Sequence, residues 1–97
     1  MHLALLVVGG PRTEGAATAR ALGGAALDAG HRVTVFLAGD GTAHLDALAP
    51  LRAAGARVLL CSADAALRGW DRPGTPGRGS FKDLGDATLD AGALLVL

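Results

Sequence analysis

The sequence predicts an α/β fold on a mostly parallel sheet, and two observations carry that prediction. Leu3 to Val8 is an unbroken apolar run. Strands of that kind are buried on both faces, which is the mark of a parallel sheet. Strand-like runs and helical stretches then alternate along the whole chain, each closed by Gly or Pro. Alternation of that kind builds right-handed crossovers within one sheet.

The elements follow in order. The first strand ends at the breaker Gly9-Gly10-Pro11. A helix is predicted from about Glu14 to Ala29, with Thr13 as N-cap and Glu14 favouring the positive helix start. Ala19, Leu22, Ala26 and Ala29 fall on one face of it. Gly23-Gly24 weakens it, and Gly30 is its C′ residue. His31 to Ala38 is the second strand, ending at the turn Gly39-Asp40-Gly41.

Thr42 to Ala54 reads as a helix with Leu45, Leu48 and Leu51 inward, although Pro50 is placed to break or kink it. Gly55 ends it. Arg57 to Leu60 is the third strand, and Cys61 lies at its C-terminal edge. A short helix from Ser62 to Arg68 stops at Gly69. The stretch from Asp71 to Ser80 holds Pro73, Gly74, Pro76, Gly77 and Gly79, so it reads as a mobile loop with room for a very short strand near its start or end. Phe81 to Asp90 forms a helix, and Ala93 to Leu97 a last strand.

Composition bounds the function. A chain of 97 residues with zero net charge is one domain, residues 1–97. At this length it buries only roughly 60–65% of its unfolded surface, so its stability alone is modest. Apolar residues make up 51% of the chain but aromatic ones only 3%, so alanine and leucine build the core. Such a core gains from further burial in a homo-oligomer. No stretch approaches the roughly 20 apolar residues of a membrane span. Met1 leads straight into a strand without a basic region or cleavage site, so no secretory signal is expected. One cysteine makes no internal disulfide, which sets the cytoplasm as the default compartment. Balanced charge without a basic block speaks against nucleic acid.

Ligands in open α/β sheets bind beyond the C-terminal strand ends. That rim gathers Gly9-Gly10, Gly39-Asp40-Gly41 and Cys61-Ser62. A thiol directly before a helix is pulled toward the thiolate by the helix N–H groups, and the thiolate is the nucleophile. Arg68 adds positive charge if its side chain folds back. Cys61 is therefore the candidate catalytic residue, and Ser62, Arg68 and Asp40 are the candidate substrate-binding residues. A free cysteine also packs well as a small apolar residue, and turn chemistry alone accounts for Asp40. Trp70 reads as a hydrophobic anchor.

Specific chemistries can be tested by spacing. A phosphatase or rhodanese loop has five residues between Cys and Arg; here six separate Cys61 from Arg68, one of them acidic and none glycine. No second cysteine supplies a C-x-x-C motif. Gly9-Gly10-Pro11-Arg12 fits neither the dinucleotide fingerprint nor the phosphate-binding loop. His2, His31 and His44 are scattered, without metal-ligand spacing, and His31 reads as a helix-exit residue. No metal or organic cofactor is expected.

The segment Val58-Leu59-Leu60-Cys61-Ser62-Ala63-Asp64-Ala65-Ala66-Leu67-Arg68-Gly69 resembles the active-cysteine segment of the DsrE/DsrF-like family, which includes the DsrEFH and TusBCD sulfur-relay complexes. Ala29-Gly30-His31-Arg32-Val33-Thr34-Val35-Phe36, Gly39-Asp40-Gly41, Ser80-Phe81-Lys82-Asp83-Leu84-Gly85 and the closing Leu94-Leu95-Val96-Leu97 match in order, so the resemblance spans nearly the whole chain. It implies a three-layer α/β/α fold of about five strands, assembled as a trimer or hexamer. It also implies that Cys61 accepts a sulfane sulfur as a persulfide and passes it between donor and acceptor proteins, with Arg68 as an electrostatic or structural neighbour. Backbone N–H groups of the Ser62–Ala65 turn would hold the terminal sulfur, under the Asp71–Ser80 loop. Two other classes remain open: an oligomeric binding or scaffold protein with Cys61 merely packed, and a redox-sensing thiol.

Overall fold

The computed structural model describes residues 1–69 and 78–97. Five strands form one sheet: β1 (His2–Val7), β2 (Arg32–Leu37), β3 (Arg57–Cys61), β4 (Arg78–Gly79) and β5 (Ala93–Val96). Their order is β4-β3-β2-β1-β5, and every neighbouring pair is parallel. The α/β class and the parallel sheet are as predicted, and the very short strand lies at the end of the Pro/Gly stretch. Trp70 and the rest of that stretch up to Gly77 lie outside the described residues.

Helices cover both faces. α1 (Gly15–Asp28), α2 (Ala49–Ala53) and Ala65 of α3 (Ser62–Leu67) close the larger core, where Leu5, Val7, Val35, Leu37, Leu48 and Leu60 are almost fully buried. α4 (Phe81–Asp90) closes the other face through Leu84, over Phe36, Leu59 and Cys61. Phe36 and Phe81 stack there with centroids 6.2 Å apart. The uneven layers follow from the strands: Val33, Val35 and Leu37 give one face three branched side chains, while the other face of β2 carries Thr34 and Phe36.

Three local expectations are corrected. Thr13 is not the N-cap of α1; its hydroxyl donates to the Gly10 carbonyl at 2.8 Å and closes the preceding turn, while Glu14 holds the cap position without a side-chain bond. Leu22 is 38% exposed, because the buried stripe of α1 runs through Gly15, Ala16, Ala19 and Gly23. Gly23 is buried for close approach: a Cβ there would come within 2.9 Å of the Leu51 side chain. The third correction concerns Thr42 to Ala54. This stretch forms two 3₁₀ turns, Gly39–His44 and Asp46–Leu48, before the single turn of α2. Pro50 starts α2 rather than kinking a longer helix, since its missing N–H is tolerated only in a first turn. Leu48 and Leu51 still point into the core, and Leu45 packs against it.

The end of α1 follows prediction. The Gly30 and His31 amides donate back to the Leu27 and Ala26 carbonyls at 3.0 and 2.9 Å, the Schellman closure expected of Gly30 at C′. Near the other end of the chain, Ser80 and Asp83 form a reciprocal capping box that starts α4. Among the described residues, no helix is long and apolar enough to cross a membrane.

Candidate functional site

The three predicted turns do meet at one rim. The Ala38 amide donates to the Val7 carbonyl at 3.0 Å, joining the ends of β2 and β1. Gly41 lies so close over that carbonyl that any Cβ would collide with it. His44, buried, donates from Nε2 to the Gly9 and Gly10 carbonyls at 2.9 and 3.2 Å. Both partners are carbonyls, so Nε2 carries the proton. A histidine that looks isolated in the sequence is thus the clamp that holds the Gly-rich turn against the 3₁₀ segment.

Cys61 ends β3 and occupies the N-cap position of α3. It is 2% exposed and packs with Phe36, Ala38 and Leu59. Three residues on, Asp64 accepts the Gly39 amide at 2.7 Å. Its carboxyl is held below the usual range, first by that backbone bond, then by the Cys61 thiol, which donates to it, and by the nearby Arg68 guanidinium.

Arg68 does fold back towards the rim. Its Nη1 lies 3.6 Å from Asp64 Oδ1 and its Nη2 3.3 Å from Asp40 Oδ1. Both carboxylates share the one guanidinium, so its charge is directed at them rather than at the sulfur. Asp40 itself is largely exposed. Ser62 opens α3 and is partly buried. Cys61, Asp40 and Arg68 therefore converge with Asp64 at their centre, while Ser62 adjoins them through the chain.

Asp64 and His44 are site residues that sequence reasoning misses. In the sequence, Asp64 stands out only as an acidic residue that spoils a phosphate loop; its i, i+4 spacing to Arg68 is the available signal. Nothing local marks His44, whose partners lie 34 and 35 residues away.

The architecture has a counterpart among solved structures. Over 100% of both chains it superposes on the ychN protein from E. coli, with a TM-score of 0.72 and 21% sequence identity. The fold is that of ychN. The two share the α/β architecture with a parallel five-stranded sheet that the sequence predicts. At this identity the likeness to ychN speaks to fold alone. No protein-family model matches the chain, and no curated protein matches it.

Proposed function

We propose that this protein is a small cytoplasmic sulfur carrier that holds a persulfide on Cys61 and hands it to a partner thiol. The observation that supports this reading most directly is the place of Cys61. It stands at a strand end, before a helix, within a cluster of Asp40, Asp64 and Arg68, in a DsrE/DsrF-like fold. In the loading step, Cys61 Sγ attacks the outer sulfur of a donor persulfide as a thiolate. A new S–S bond forms, the donor S–S bond breaks, and the donor thiolate leaves and takes up the proton that Cys61 released. No net oxidation occurs.

Asp64 sets the resting state. Its carboxylate accepts the Cys61 thiol hydrogen bond, and the burial of Cys61 protects it from adventitious oxidation. Loading requires the Asp64 contact to open, and Arg68, which pairs with Asp64, then serves as a cation for the anionic terminal sulfur. The reading includes donor and acceptor proteins and a homo-oligomer, trimer or hexamer. Leu67, Leu89 and Val96 are exposed apolar side chains that self-assembly would cover.

The 2% exposure of Cys61 also favours a second reading, an oligomeric binding or scaffold protein in which the thiol only fills the core. Intact-protein mass spectrometry after incubation with a persulfide donor separates the two, with Cys61→Ser alongside. A single added sulfur on the unaltered chain alone, removed by an acceptor thiol, is the expected result. No adduct, with the thiol unreactive until the chain unfolds, establishes the scaffold reading instead. Reversible oxidation without sulfur transfer would assign a redox-sensing thiol.

A further inference from the structure

The opposite end of the strands, at their N-termini, carries chemistry that the Cys61 rim does not use. A pocket of about 470 Å³ opens there, lined by His2, Arg32, Thr34, Arg57, Asp86 and Asp90 among others. Strand register puts four of these side chains on one face. His2 pairs with Arg32 across β1 and β2, and Thr34 pairs with Arg57 across β2 and β3. Arg32 and Thr34 are two residues apart on β2, so they point the same way. The α4 helix brings Asp90 over them.

Three of these groups form a continuous chain of hydrogen bonds. His2 donates from Nδ1 to Asp90 Oδ2 at 3.0 Å, and its Nε2 meets the Thr34 hydroxyl at 2.7 Å. His2 and Thr34 are both buried, and both line the pocket. The carboxylate fixes the Nδ1–H tautomer, which leaves Nε2 as the acceptor for the hydroxyl proton. Burying His2 and Thr34 costs desolvation that two apolar side chains would avoid, while the Asp90 carboxylate stays solvent-exposed. The order of the chain is that of nucleophile, base and orienting acid, and it faces a concave surface.

We propose that Thr34, His2 and Asp90 form a second active centre that transfers the acyl group of a small ester or thioester to Thr34 Oγ1 and then to water. In the first step His2 Nε2 takes the Thr34 proton while the Oγ1–carbon bond forms. The carbon–leaving-group bond then breaks, and the alkoxide or thiolate leaves with the proton from His2. Water, activated by the same nitrogen, splits the acyl-threonine and restores the hydroxyl. The net reaction is hydrolysis, without oxidation or reduction. Arg57, paired with Thr34 in register on the next strand, lines the same pocket and is the cation assigned to the developing oxyanion. Asp90 acts through His2 as a positioning residue; it also pairs with Arg32 at 2.8 Å. Its carboxyl sits below the ordinary range, first because of the His2 bond and then because of Arg32, so it is ionised when the base works.

This centre is independent of Cys61, and its test is arranged accordingly. The full chain carrying Cys61→Ser is incubated with 4-nitrophenyl acetate. Nitrophenolate release is followed, and the acetyl group is located by peptide mass spectrometry. Acetyl on Thr34 is expected, still formed in Thr34→Ser and absent from Thr34→Val. His2→Gln should slow release by about 100-fold, the usual worth of a general base. Nitrophenolate release by the folded Cys61→Ser chain no faster than without protein, or equal release by Thr34→Val, overturns the proposal. The first of these outcomes is read without any substitution at Thr34 or His2, so it does not depend on those variants folding.

Discussion

Asp64 in the first turn of α3 accepts the Gly39 amide at the end of β2, 2.7 Å away and 25 residues earlier in the chain. The bond ties two neighbouring strand ends together directly beside Cys61. Backbone amides that donate to a carboxylate favour its charged form, which accounts for the lowered pKa of Asp64.

Stability should therefore fall on acidification. A carboxyl with a lowered folded-state pKa contributes stability above its unfolded value of about 3.9, and that contribution is lost as pH falls through the folded value. Asp83 and Asp90 are lowered too, Asp83 first by the Ser80 amide and Asp90 first by His2. Urea midpoints should drop from about pH 5 towards about pH 2, and Asp64→Asn should make that drop shallower. A midpoint that falls as steeply in the variant would remove Asp64 from the account.

Cys61 should be slow to alkylate in the native protein. Its sulfur is buried, and its hydrogen bond to Asp64 holds it in place at the strand end. Asp64→Asn loosens the Asp64 tie to Gly39 and Cys61 and should speed iodoacetamide capture at neutral pH, with no matching change in far-UV circular dichroism. An unchanged capture rate would show that burial alone controls the thiol.

Leu60 precedes Cys61 and is fully buried in the larger core. Leu60→Ala removes three heavy atoms from a packed site and should cost about 2–5 kcal/mol in chemical denaturation. Gly41→Ala should also destabilise, by about 1–3 kcal/mol, because its methyl meets the Val7 carbonyl and not a movable side chain. The comparison separates a cavity from an overlap.

Ser80 caps α4, the helix that brings Asp90 to the second pocket. Ser80→Ala should cost about 1 kcal/mol, and Ser80→Gly a few tenths. Equal losses would mean that the hydroxyl does not serve as the cap.

Much of this arrangement is legible along the chain. The unbroken run of β1, the Gly-terminated helices and the strand that ends at Cys61 are local features with local causes. The 3₁₀ segment is not legible, because the Leu45, Leu48, Leu51 spacing fits a helix. What decides its form is the close approach of Gly41 to β1 and the start imposed by Pro50. The exposure of Leu22 escapes periodicity for a similar reason: spacing alone does not reveal that α2 approaches α1 at Gly23.

The sequence by itself determined the α/β class, the parallel strands and the strand-end position of Cys61, since hydrophobic periodicity and turn residues act over a few positions. Only the tertiary structure decided what surrounds them. Asp64 meets Gly39, His44 meets Gly9, and His2 joins Thr34 to Asp90 across 32 and 88 positions of sequence. Such contacts depend on strand order and crossover geometry, and no local pattern encodes the partner of a polar side chain whose bond is made across the sheet.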